Sequence, residues 1–143
     1  MIVKLSMLRG TTISIVVSPD VTTSIVSQSL ESLFKEADFI TLHVPAQDGY
    51  IVDEAALAIM KDGVGIVNCA RGGVIDEVAL VKALDNGKVL FAGLDVFESE
   101  PKPEMSILMH PKISLTPHIG AATGEAQDRI GTELASQIIS LLS

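Results

Sequence analysis

The sequence predicts an α/β domain built on a mainly parallel sheet. The chain has 143 residues, 48% of them hydrophobic, with four Phe, one Tyr and no Trp, so the core must be aliphatic. Short continuous Val/Ile/Leu runs suit strands that are covered on both faces, the usual condition of a parallel sheet. From residue 38 onward such runs alternate with longer amphipathic segments, the pattern of right-handed strand–helix–strand crossovers. The length suffices for one domain with a real core and is short for two.

Met1 to Leu8 and Thr12 to Val17 are compatible with strands, and Ser27 to Glu36 with a short helix. Asp38 to Val44 reads as a buried strand stopped by Pro45. Asp53 is a plausible cap for a helix from Glu54 to Lys61, which Asp62-Gly63 ends. Val64 to Asn68 is the next strand. Asp76 caps a helix through Leu84, stopped by Asn86-Gly87. Val89 to Leu94 is a third strand of this series, followed by a loop rich in Pro and acid from Glu98 to Glu104, and Lys112 to Leu115 is a fourth. Ala121 to Leu142 is a long last helix with Ile130, Leu134, Ile138 and Leu141 at helical spacing, a stripe expected to pack on the sheet.

Charge and composition narrow the function classes. A formal net charge of −8 argues against a nucleic-acid partner, which needs a basic surface to neutralise phosphates. No apolar run reaches the roughly 18 residues of a membrane span, so no membrane association is expected. Met1 to Val17 lacks the apolar region and cleavage site of a secretory signal. The lone Cys69 has no internal disulfide partner, and a cytoplasmic location is the simple expectation.

Three motifs occupy one position in the strand–helix pattern. Asn68-Cys69-Ala70-Arg71-Gly72-Gly73 follows one strand, Asp95-Val96-Phe97-Glu98-Ser99-Glu100-Pro101 the next, and Thr116-Pro117-His118-Ile119-Gly120 the last. In an open parallel sheet, ligands sit beyond the carboxyl ends of the strands. Arg71, Glu100 and His118 can therefore converge. Oxidising a 2-hydroxy acid removes a proton from oxygen and a hydride from carbon. Histidine is the natural base near neutral pH, and a neighbouring carboxylate orients it. A guanidinium grips a substrate carboxylate through paired hydrogen bonds. The hydride requires a cofactor, because no side chain accepts one.

These motifs, in this order and spacing from about residue 30 to 140, resemble the D-2-hydroxyacid dehydrogenase family. The Asn68 to Gly73 run is especially similar to its phosphoglycerate dehydrogenase branch. The resemblance implies NAD as cofactor, a small 2-hydroxy or 2-keto acid as substrate, His118 as acid/base, Glu100 as its partner and Arg71 on the substrate. It also implies that Asp95 holds the nicotinamide carboxamide. Backbone at His43, Val44 and Pro45 would pass the adenine side, and backbone at Cys69, Ala70 and Gly120 the nicotinamide side. The implied fold is a Rossmann-like three-layer domain with a mainly parallel sheet, truncated at its N-terminal βα unit. Residues 1–143 would be a partial NAD-binding domain, with 1–37 atypical and 38–143 family-like.

The chain also departs from the family. Gly10 is the only glycine before Gly49, so the Gly-x-Gly-x-x-Gly phosphate loop is missing. Ser18 stands where the family commonly has an acidic ribose ligand, with Asp20 two residues later, and the segment around Gln47 to Tyr50 is short. A catalytically inactive nucleotide-binding or interaction module, or a fragment active only with a complementary chain, is the alternative. A truncated domain would leave sheet or helix surface uncovered, and a homodimer or higher species is expected to bury it.

Blander readings apply to other residues. Asp95 could be a strand-end cap, and Cys69 a packing residue rather than a nucleophile. His43 and His110 have no evident partner in the sequence. Glu98 and Glu104 read as solvated loop, and Asp53-Glu54 and Asp76-Glu77 as helix starts. No metal-ligand spacing is seen.

Overall fold

In the computed structural model, residues 2–8, 11–16, 25–26, 29–46, 48–120 and 122–142 are described. The elements are β1 (Ile2–Leu8), β2 (Thr11–Val16), β3 (Ile25–Val26), α1 (Leu30–Glu36), β4 (Phe39–His43) and α2 (Glu54–Ile59). They continue with β5 (Val64–Asn68), α3 (Glu77–Asp85), β6 (Val89–Leu94), α4 (Met105–Leu108), β7 (Ile113–Leu115) and α5 (Gly124–Leu142). Among these residues the sheet order is β3-β2-β1-β4-β5-β6-β7. The pairs from β1–β4 to β6–β7 are parallel, while β1–β2 and β2–β3 are antiparallel. The α/β, Rossmann-like architecture is therefore as the sequence suggests.

Helix starts follow local chemistry. The side chains of Ser29, Asp53 and Asp76 accept from the amides of Ser32, Ala56 and Ala79, each satisfying an otherwise unpaired first-turn donor. Gly87 follows α3 with φ +81°, a left-handed conformation that costs glycine little.

Register sets the geometry that matters for function. Leu42 pairs with Asn68, Asn68 with Leu94 and Leu94 with Leu115. The chain thus leaves four parallel strands at one level, through His43, Cys69, Asp95 and Thr116. Ile40, Leu42, Ile66, Ala92 and Leu94 face the helices and are buried, together with Leu33, Leu80, Leu84 and Ile107. The alternate residues of β4 and β6, Phe39 and Phe91, lie on the open face, where their rings flank Gly65. A Cβ on Gly65 would come within 2.7 Å of both rings, so only glycine leaves them that room.

Helices α1 to α4 follow one another in contact, and α3 and α4 pack on β6 and β7. β1 and β2 are antiparallel and joined across residues 9–10, too short a link for a crossover helix. One expectation is corrected: the last helix does not pack on the sheet. Thr123 caps its start through the Ala126 amide, but α5 has no buried residue and Leu134 is 55% exposed. It follows β7, the edge strand among the described residues.

These placements give a paired expectation. Ile66→Ala should cost about 2–5 kcal/mol in urea unfolding, because it opens a cavity in a packed core. Leu134→Ala should change stability by no more than about 0.5 kcal/mol, as at an exposed position.

Candidate active site

The site begins with a buried anion. Asp95, one residue beyond β6, is only 4% exposed. Its Oδ1 accepts from the Thr116 hydroxyl and the Ile119 amide, and its Oδ2 from the Gly120 amide. One carboxylate therefore gathers the whole turn between β7 and α5. Burial pushes its pKa up, but the three hydrogen bonds and the neighbouring His118 outweigh that, leaving it below the ordinary value. Gly120 fits this arrangement for a steric reason: a Cβ there would lie 2.9 Å from Oδ2.

His118 sits inside that turn with φ +54°, the left-handed region. For a residue with a Cβ this costs about 1–2 kcal/mol, which the Asp95 bonds on the same turn can offset. The turn presents Nδ1 of His118 to Oε2 of Glu100 at 2.7 Å. Oε1 of Glu100 accepts from the Phe97 amide, at the start of its own loop. The His118 contact, then the Phe97 amide, holds the Glu100 carboxyl below its ordinary value of 4.5. The two side chains are 48% and 36% exposed, so the pair is open to a ligand. A cleft of about 480 Å³ opens beside it, walled by Phe97, Pro101, Pro103, Leu108, Leu115 and Pro117.

Arg71 is on the neighbouring loop. Buried Asn68 shapes that loop, accepting from the Ala70 amide and donating to the Arg71 carbonyl. The Arg71 loop meets the Glu100 loop at Gly72, where a Cβ would lie 1.8 Å from the Phe97 carbonyl oxygen. Glu100 and His118 are thus brought into direct contact. The Arg71 guanidinium instead donates to the Ala70 carbonyl at 2.6 Å and is exposed.

The residues expected along the cofactor lie on the same edge. His43, Pro45, Cys69 and Gly120 are exposed there, while Val44 and Ala70 are buried. Ser18 and Asp20 lie outside the described residues. Burial, then Asp95, raises the Cys69 thiol, which disfavours a nucleophilic thiolate. Among the described residues no group of three or more His, Cys, Asp or Glu could hold a metal, and no helix is long and apolar enough to cross a membrane.

Several partnerships were missed in the sequence. His110 lies 3.3 Å from Asp85 and accepts from the Lys112 amide, and His43 contacts the Thr41 hydroxyl. Glu98 is not a purely solvated residue, since its carboxylate reaches the Glu77 amide. The one sequence signal for Asn68 and Thr116 is a polar side chain at a strand's carboxyl end.

A parallel sheet whose carboxyl edge carries a His–Glu pair defines a candidate dinucleotide-dependent oxidoreductase domain. Comparison with known proteins gives the family. Residues 9–120 match the sequence profile of the D-isomer specific 2-hydroxyacid dehydrogenase NAD-binding domain, and the chain belongs to this family. It is 51% identical over 118 residues to a hydroxypyruvate reductase of Thermotoga maritima, covering 79% of this chain and 39% of that protein. It is 40% identical over 131 residues to D-3-phosphoglycerate dehydrogenase of Sus scrofa, covering 89% of this chain and 25% of that one. Among solved structures it resembles D-lactate dehydrogenase of Aquifex aeolicus, complexed with NAD and lactic acid. The TM-score is 0.65 at 34% identity, covering 82% of this chain and 40% of that one. The chain thus spans less than half the length of these relatives, and the family's cofactor is NAD.

Two outcomes test the geometry. Asp95→Asn places an NH2 group against amide donors and should cost about 1–3 kcal/mol. Asp95 is depressed in the folded state, so its contribution is present above about pH 3.9 and lost as pH falls through the depressed value. Urea midpoints across pH 2–6 should show that acid loss in the native chain and a flatter profile in the variant. Gly72→Ala should cost about 1–3 kcal/mol by overpacking, read from the same curves.

Proposed function

We propose that this chain supplies the proton-transfer side of an NAD-dependent D-2-hydroxyacid dehydrogenase. The observation that carries the reading is the 2.7 Å contact between His118 Nδ1 and Glu100 on the carboxyl edge of the sheet. With the Nδ1 proton donated to Glu100, Nε2 is the lone-pair nitrogen. It takes the hydroxyl proton during oxidation and returns it during reduction. Glu100 fixes the ring orientation and stabilises the imidazolium that forms. Arg71 turns from the Ala70 carbonyl to bind the substrate carboxylate in a bidentate pair. NAD, when bound, supplies the hydride acceptor. His43, Val44 and Pro45 would hold its adenine side, and Cys69, Ala70 and Gly120 its nicotinamide side. Asp95 accepts from the carboxamide while ordering the turn.

The leading substrate is 3-phosphoglycerate, which would place the chain in serine biosynthesis. The phosphoglycerate dehydrogenases among its relatives support this, and the similar hydroxypyruvate reductase supports glycerate and hydroxypyruvate as the competing pair. Among the described residues no Lys or Arg lines the cleft beside His118, so a substrate phosphate would be held outside it. A second reading is a nucleotide-binding module without turnover. It is favoured by the lack of a glycine-rich loop, Gly10 being the only glycine before Gly49.

NADH fluorescence titration of the purified chain should show saturable binding. Absence of binding at millimolar cofactor would defeat the stand-alone enzyme. Addition of a chain carrying a glycine-rich loop and a substrate domain should then give oxidation of 3-phosphoglycerate or reduction of hydroxypyruvate. His118→Asn should lower that rate by about 10²–10⁴-fold. NADH binding with no turnover under any pairing would favour the module.

A further inference from the structure

The buried carboxylate of Glu77, only 7% exposed, has no part in the chemistry above. Burial pushes its pKa up, and Glu98, Glu104 and Glu100 add to the effect. A carboxylate in that setting is costly, so what it binds is informative. Glu77 Oε1 accepts from the Glu98 amide at 2.8 Å, and Glu98 Oε1 accepts from the Glu77 amide at 2.9 Å. Each carboxylate thus takes the other residue's backbone donor, across a loop and a helix start 21 positions apart. The Tyr50 hydroxyl donates to the second oxygen of Glu98 at 3.2 Å, adding the loop after β4. A helix N-terminus favours negative charge, which helps hold two acids side by side.

We propose that Glu98 is a positioning residue for the acid/base pair: its exchange of hydrogen bonds with Glu77, braced by Tyr50, fixes the strip from Phe97 to Glu100 so that Glu100 meets Nδ1 of His118. The Phe97 side chain anchors one end of the strip in the core, and polar contacts set the rest. The Phe97 amide donates to Glu100, the Phe97 carbonyl abuts Gly72, and Glu98 supplies the bonds to α3. Release of Glu98 frees the loop to rotate Glu100 away from His118. The catalytic meaning rests on the function proposed above, whereas the geometric claim does not.

The test reads the Glu100 carboxyl by ¹³C NMR titration in the 143-residue chain, without cofactor or substrate. In the native chain the His118 contact and the Phe97 amide should hold the Glu100 titration low. Glu98→Gln keeps a carbonyl acceptor for the Glu77 amide and should leave that titration low. Glu98→Ala should move it up toward 4.5. Loss of a nearby negative charge alone can only lower Glu100, so an upward shift reports a displaced loop. Glu98→Asp, which keeps the charge but shortens the reach, should also shift it upward, and serves if the Ala variant does not fold. A Glu100 titration that stays low in both the Ala and Asp variants, with folding intact by urea midpoint, overturns the proposal. Failure of NADH binding would strike the functional reading and leave this measurement as it stands.

Discussion

A single buried carboxylate organises the reactive edge. Asp95 stands where β6 ends, and it accepts three hydrogen bonds from the turn that follows β7. Hydrogen bonds to an ionised acceptor are worth about 1.5–3 kcal/mol each, enough together to keep an anion charged in a largely dry place. That energy is available to hold His118 in a left-handed conformation that a free chain would avoid. Glu100 descends from the same strand end, five positions further along the chain. Both members of the pair are therefore referred to one point in the sheet, and a 2.7 Å contact follows from rigid anchors rather than from two independent loops.

The parallel register supplies the rest of the alignment. Leu42, Asn68, Leu94 and Leu115 form one row across four strands, so the loops beyond them start at equal height. Where two of these loops meet, side-chain volume is excluded. Gly72 lets the Arg71 loop lie directly on the Phe97 carbonyl. Arg71 itself is placed but not committed. Its exposed guanidinium bonds the Ala70 carbonyl of its own loop.

Much of this was legible in the residues. Continuous aliphatic runs located β4, β5 and β6, and side chains at Ser29, Asp53 and Asp76 mark helix starts because first-turn amides need acceptors. The positions of Glu100 and His118 near strand ends were legible through the spacing of their motifs, and the fold brings these two side chains together. The exchange between Glu77 and Glu98 was not. Each reads locally as a solvated acid, and only the folded chain brings amides 21 positions apart within reach. The Asp85–His110 contact was hidden for the same reason. The apolar stripe of α5 was read correctly as amphipathic, but periodicity names a face without saying what covers it. The ribose-side positions Ser18 and Asp20 fall outside the described residues.

The distribution of anchors separates two parts of the sheet. Asn68, Asp95, Glu98 and Glu77 hang on β5, β6 and α3; Asn68 bonds its own loop, Glu77 and Glu98 bond each other, and Asp95 bonds the turn after β7. None of those bonds involves β1, β2, β3 or α5. The His118–Glu100 geometry is thus local to the parallel part of the sheet. Toward β1 the sheet turns antiparallel, so the register that aligns the loops after β4 to β7 does not extend to β2 and β3. The His118–Glu100 contact therefore depends on the row of parallel strand ends and not on the antiparallel margin of the sheet.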